Sequence, residues 1–88
     1  MLTFPTTLTH ADASACVAHW VSQLPVGQGQ VVRLDGSGLQ RFDSSALSAV
    51  LALRRHLAGQ EQTLALDGLP PRLTELATLY GVDALLAA

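Results

Sequence analysis

The 88-residue chain contains no lysine: its five basic residues are all arginine, Arg33, Arg41, Arg54, Arg55 and Arg72. The absence of lysine removes the P-loop lysine, Schiff-base chemistry and the cation that a phosphoryl-accepting aspartate normally needs beside it. The arginines are scattered, with one adjacent pair, and the formal net charge is −2. No basic stripe exists to neutralise phosphates, which argues against nucleic-acid binding. A single cysteine, Cys16, excludes an internal disulfide and a multi-cysteine metal site. No run of about 20 apolar residues occurs, so direct membrane insertion is not expected. The opening Met-Leu-Thr-Phe-Pro carries no charged n-region, and the expectation is a cytoplasmic protein.

Charge of either sign is also scarce. Charged residues make up 14% of the chain, well under the usual quarter, while 49% are hydrophobic. Such a length predicts one domain spanning residues 1–88, with a core small enough that every apolar face must be used. Low charge on so small a domain leaves apolar surface uncovered, which fits a protein held against a partner and leaves room for a homodimer of the isolated domain. A compact domain with a Ser/Thr/Gln surface is the alternative.

Residues Leu2 to Leu8 read as a weak strand, which Pro5 confines to a sheet edge or a bulge. Thr9 and Asp12 approximate a capping box before a helix to about Leu24, with Ala13, Val17, Trp20 and Leu24 on one face. After a turn at residues 26–30, Val31–Asp35 reads as a strand, and residues 36–42 as a loop. A helix from Ser44 to about Leu57 carries the stripe Ala46, Leu47, Val50, Leu53 and Leu57, and Gly59 stands where a left-handed residue is usual. Thr63–Asp67 is the next strand. Pro70-Pro71 opens a helix with Leu73, Leu76, Ala77 and Tyr80 at helical spacing, and Gly81 ends it. Asp83 is placed to cap a last turn through Leu86. The alternation predicts an α/β fold: a mixed central sheet with a parallel βαβα core and helices packed on it.

Chemistry concentrates at strand ends. Both inner strands end Leu-Asp-Gly, at 34–36 and 66–68, and a parallel sheet puts those ends on one edge, together with Asp43 and Ser44. Asp35, Asp43 and Asp67 could form a metal or phospho-aspartate centre, but the missing cation and the ordinary use of Asp-Gly in turns argue against it. A nucleophilic Ser44 or Ser45 would need a base in reach. His10 and His19 belong to the first helix, and His56 lies roughly 18 Å along Ser44's own helix, so no catalytic residue and no cofactor are assigned. A serine at a helix N-terminus serves either as a cap or as a site that accepts phosphate. On the side of that helix away from the core stripe lie Ser45, Ser48, Ala52, Arg55 and His56, a small-residue face open to another protein or to solvent.

The run Val32-Arg-Leu-Asp35, followed by Phe42-Asp43-Ser44-Ser45-Ala46-Leu47, resembles the signature of STAS domains, and the likeness extends from Val31 to about Leu86. Ser44 then matches the residue phosphorylated in anti-sigma-factor antagonists, although Ala46 replaces the usual glycine. Leu73-Thr-Glu-Leu-Ala-Thr-Leu-Tyr-Gly-Val-Asp-Ala-Leu-Leu86 is similar to the closing helix of the STAS subunit of Mla-type phospholipid ABC transporters. That resemblance implies a non-catalytic cytoplasmic subunit, peripheral to the inner membrane through its partner, that binds and stabilises the transporter's ATPase. The implied contact surface is Asp43, Ser44, Ser45, Ser48, Ala52 and Arg55. The alternative it implies is an anti-sigma-factor antagonist, with an anti-sigma factor and a serine kinase as partners and Ser44 as the switch.

Overall fold

The computed structural model describes residues 2–25 and 27–84. The N-terminal stretch is split at Pro5 into β1 (Leu2–Thr3) and β2 (Thr7–Leu8), as the missing proline donor requires. There follow α1 (Ala13–Ser22), β3 (Val31–Asp35), β4 (Arg41–Phe42), α2 (Ser45–Ala58), β5 (Thr63–Asp67) and α3 (Pro71–Leu79). A three-stranded sheet has the order β1-β3-β5, and β2 pairs with β4 in a second, two-stranded one. Every pairing among the described residues is parallel, so the α/β class and the parallel core are present with no antiparallel strand among those residues. The strand at Arg41–Phe42 lies inside the segment read as a loop. Two residues carry no periodicity, and the pairing is held by Thr6 O, which accepts from the N–H groups of Gln40 and Arg41, both at 2.9 Å.

Parallel register puts Leu2, Leu34 and Leu66 in one row, directed at the helices. Leu8, Trp20, Val32, Leu34, Val50, Leu53, Leu57 and Leu73 form the buried centre. Trp20 is the one buried residue of α1: its indole N–H donates to Thr3 O at 2.9 Å, and its ring meets Phe4 edge-on at 5.2 Å. Ala13, Val17 and Leu24 only border the core, so α1 presents a narrower face than its spacing suggested. Leu76 is likewise half-buried, and Tyr80 is 60% exposed, because the α3 stripe turns out of the core after Ala77. The stripe expected for α2 is buried throughout.

Helix ends follow local chemistry, with one reassignment. Gly81 adopts φ +72°, its N–H bonds Thr78 O and that of Val82 bonds Ala77 O, a Schellman closure with Val82 packed back on the core. Gly59 instead keeps right-handed φ −66°, and the left-handed residue is Glu61 at φ 56°. The chain turns two residues later than the glycine suggests because Gln62 is pinned. Its buried amide donates to Pro25 O and Gly27 O, at 3.0 and 2.8 Å, tying the α1–β3 connection to the start of β5. The last turn expected through Leu86 lies outside the described residues.

Candidate functional site

The Asp43–Ser45 segment owes its position to the small sheet. Register Leu8↔Phe42 runs β2 and β4 side by side, so the chain beyond Leu8 meets the chain beyond Phe42. There the His10 N–H donates to Asp43 Oδ2 at 3.2 Å, joining the start of α1 to the start of α2 across 33 residues. Asp43 Oδ1 accepts the Ser45 N–H at 2.8 Å, while Ser44 has helical φ and ψ of −61° and −16° and no side-chain cap bond. Capping therefore belongs to Asp43, and Ser44 is an exposed first-turn residue. The sequence left capping and switching competing for Ser44, and a carboxylate one residue earlier has taken the first task. The hydrogen bond from the Ser45 N–H holds the Asp43 carboxyl below its ordinary pKa; desolvation opposes it, and the His10 N–H adds a smaller lowering.

At the start of α1, Thr9 and Asp12 form half of the expected capping box. The Thr9 N–H and hydroxyl both donate to Asp12 Oδ2, at 3.3 and 3.0 Å, and regular helix begins only at Ala13.

The three aspartates expected at one edge separate. Asp35 and Asp67 face each other in register. Asp67 is engaged by Arg33, whose Nε and Nη2 reach its two carboxylate oxygens, both at 3.0 Å, and Asp35 accepts from the N–H and hydroxyl of Ser37. Gly68 suits the left-handed φ of +65° here, and a Cβ would crowd Asp35 Oδ1 at 3.2 Å. Asp43 follows β4 of the other sheet and bonds neither, and no group of three His, Cys, Asp or Glu side chains among the described residues could hold a metal. Ser44 and Ser45 have no side-chain hydrogen bond to a histidine among the described residues.

Along α2 the outward surface differs from the one expected. Ser48 and Arg55 are exposed as anticipated, as is His56, whereas Ser45 and Ala52 are half-buried. Helical rotation from Ser44 places Ser44, Ser48, Leu51, Arg55 and Ala58 along one ridge, opposite the buried Ala46, Val50, Leu53 and Leu57. Leu51 is the member that the sequence reading omitted. It interrupts an otherwise polar face, and a helical-wheel count from Ser44 would have found it.

Two open hollows flank the ridge. One runs between α1 and α2, lined by Ala13, Ser14, Val17, Ala18, Ser48, Ala49 and Ala52. The other is formed by Leu51, Arg54, Arg55 and Ala58. Among the described residues the single ion pair is Arg33–Asp67, so Arg54 and Arg55 have no carboxylate partner there. Arg72, from the first turn of α3, stands 5.7 Å above the Phe42 ring and fixes α3 beside the chain leading to Asp43. No helix among the described residues is long and apolar enough to cross a membrane.

A family model described as "Mlab, STAS domain" matches residues 1–87. No curated protein and no solved structure matches the chain.

Proposed function

The chain belongs to the STAS family, of the Mlab type, and from that premise we propose that it is a non-catalytic subunit docking on the ATPase of a phospholipid-moving ABC transporter. It would act at the cytoplasmic face of the membrane, held there by its partner. Family membership supports the kind of partner. The observation that carries the docking surface is the outward ridge of α2, where Leu51 lies between Ser48 and Arg55, beside two arginines that have no carboxylate partner among the described residues. A half-covered leucine ringed by small residues and cations suits an apolar contact with an acidic rim. Asp43, by capping the helix itself, frees the Ser44 hydroxyl for that contact.

The test is co-purification with the ATPase encoded in the same genome's Mla-type system. Wild-type protein should form a complex, and Arg55→Glu should weaken it at least tenfold (about 1.4 kcal/mol) while the melting curve is retained. Unchanged affinity for both Arg55→Glu and Ser44→Glu would show that the surface is wrong.

A second reading, the anti-sigma-factor antagonist, is favoured by one observation: the Ser44 hydroxyl is exposed and unused by the helix cap. Phosphate there adds about −1.5 to −2 charges beside Asp43 and would expel a partner docked at that end. Intact mass after incubation with host lysate and ATP decides it, and no added phosphate counts against the switch.

A further inference from the structure

We propose that the free edge of β5 is a self-pairing surface, at which two copies of the chain join β5 to β5, antiparallel, about a two-fold axis at Ala65. In the order β1-β3-β5, β5 is an edge among the described residues. The Thr63 N–H donates to Gln30 O at 3.0 Å, and Asp67 O accepts the Gly36 N–H at 2.8 Å. By the alternation of a parallel ladder, residues 63, 65 and 67 therefore direct their backbone groups to β3, and Leu64 and Leu66 direct theirs outward. Edges of this kind are normally blunted by lysine, proline or a bulge. Thr63-Leu-Ala-Leu-Asp67 contains neither residue, and its register with β3 is unbroken.

The strand is also self-complementary when reversed. With Ala65 on the axis, Leu64 stands opposite Leu66 of the second copy, and Leu66 opposite its Leu64. Both are hydrogen-bonded positions, so the outward N–H and C=O groups satisfy one another in an isologous contact. The same pairs bring leucines together on the helix-covered side, where each is half-buried in one copy alone. Ala65 occupies the closer, non-hydrogen-bonded position, where a methyl group fits. The strand's one charge does not meet itself: Asp67 faces Thr63 of the second copy and already pairs with its own Arg33. The result is one sheet continuous across two copies. The ridge of α2 lies on the outer side of the helices, so this pairing is independent of ATPase docking.

The experiment uses the full chain in a Cys16→Ser background. Cα atoms about 4.5 Å apart at the axis lie within disulfide range, so Ala65→Cys should cross-link under mild oxidation. Thr63→Cys places the two thiols about 13 Å apart along antiparallel strands and should stay reduced. Light scattering of the wild type should approach twice the 9.3 kDa of one chain as concentration rises. Ala65→Glu, set beside Arg33 in the register, should keep the far-UV spectrum and return the mass to one chain. Equal cross-linking of both cysteine variants, a dimer that survives Ala65→Glu, or a single-chain mass up to about 1 mM would each overturn the proposal.

Discussion

Leu53 and Leu51 lie two residues apart on α2, and the structure gives them opposite work. Leu53 is 0% exposed, in contact with the core from the centre of the helix, whereas Leu51 is half-buried on the outward ridge. Truncating a leucine in such a buried site removes its transfer free energy and leaves a cavity that the sheet and neighbouring helices only partly fill, about 2–5 kcal/mol. At about 0.05–0.15 kcal/mol per residue, a chain of this length holds only about 4–13 kcal/mol in total. With about 3 kcal/mol lost and about 4–8 °C per kcal/mol for a domain of this size, Leu53→Ala should lower the melting temperature by about 12–24 °C. Leu51→Ala forfeits part of a contact already shared with water, and alanine is the better helix former. Its expected cost is about 0.5–1 kcal/mol, or about 2–8 °C. Far-UV circular dichroism at pH 7 reads both variants, and ATPase binding should respond in the reverse order, with Leu51→Ala the weaker binder. If Leu51→Ala melts as low as Leu53→Ala, the ridge is core and the proposed docking face fails. If Leu53→Ala melts within about 4 °C of wild type, the orientation of α2 is wrong.

Two further outcomes follow from titrating groups. Burial, with the Asp12 carboxylate adding to it, pushes the Cys16 thiol up to about 11. Alkylation at pH 8 should therefore run about two orders of magnitude slower than for a free cysteine and recover in urea, and a fast native reaction would refute the burial of Cys16. Asp35 and Asp43 both titrate below the ordinary carboxylate value, chiefly through the backbone N–H groups of Ser37 and Ser45 respectively. Because the folded pKa is the lower one, the unfolded chain binds more protons in acid. The stabilisation is complete above the unfolded value, near pH 4, and is lost as pH falls through the folded value. The melting temperature should hold between pH 5 and 7 and decline below about 4, and Asp35→Asn with Asp43→Asn should flatten that decline; an unchanged acid slope would refute the assignment.

Much of the architecture was written locally. The β-branched opening of β3, the 3.6-residue stripe of α2, the prolines at the start of α3 and the Gly81 stop are each decided by neighbours within one or two turns, and each stands where its residues put it. The STAS signature was legible for the same reason, since strand, loop and capped helix are contiguous in the chain. Other features depend on partners far away in sequence. Tyr80 has the spacing of a core residue but lies past the point where α3 leaves the core, so it is exposed. Gly59 looks like a helix stop, yet the pinning of Gln62 by Pro25 and Gly27 moves the left-handed turn to Glu61.

The candidate site divides in the same way. Sequence alone determined that Asp43 and Ser44 open a helix and that Ser48 and Arg55 share its outer surface. It could not decide which of Asp43 and Ser44 caps. The cap it adopts is local, from Asp43 Oδ1 to the Ser45 N–H two residues on, but the parallel pairing of β2 with β4 alone brings the His10 N–H to the other Asp43 oxygen. Nor could it separate Asp43 from Asp35 and Asp67, because a run of aspartates after strands does not say which sheet each strand joins. Period and capping act over a few residues and survive in the chain as text; register and burial are set by contacts across about 30 residues, and only the packed structure contains them.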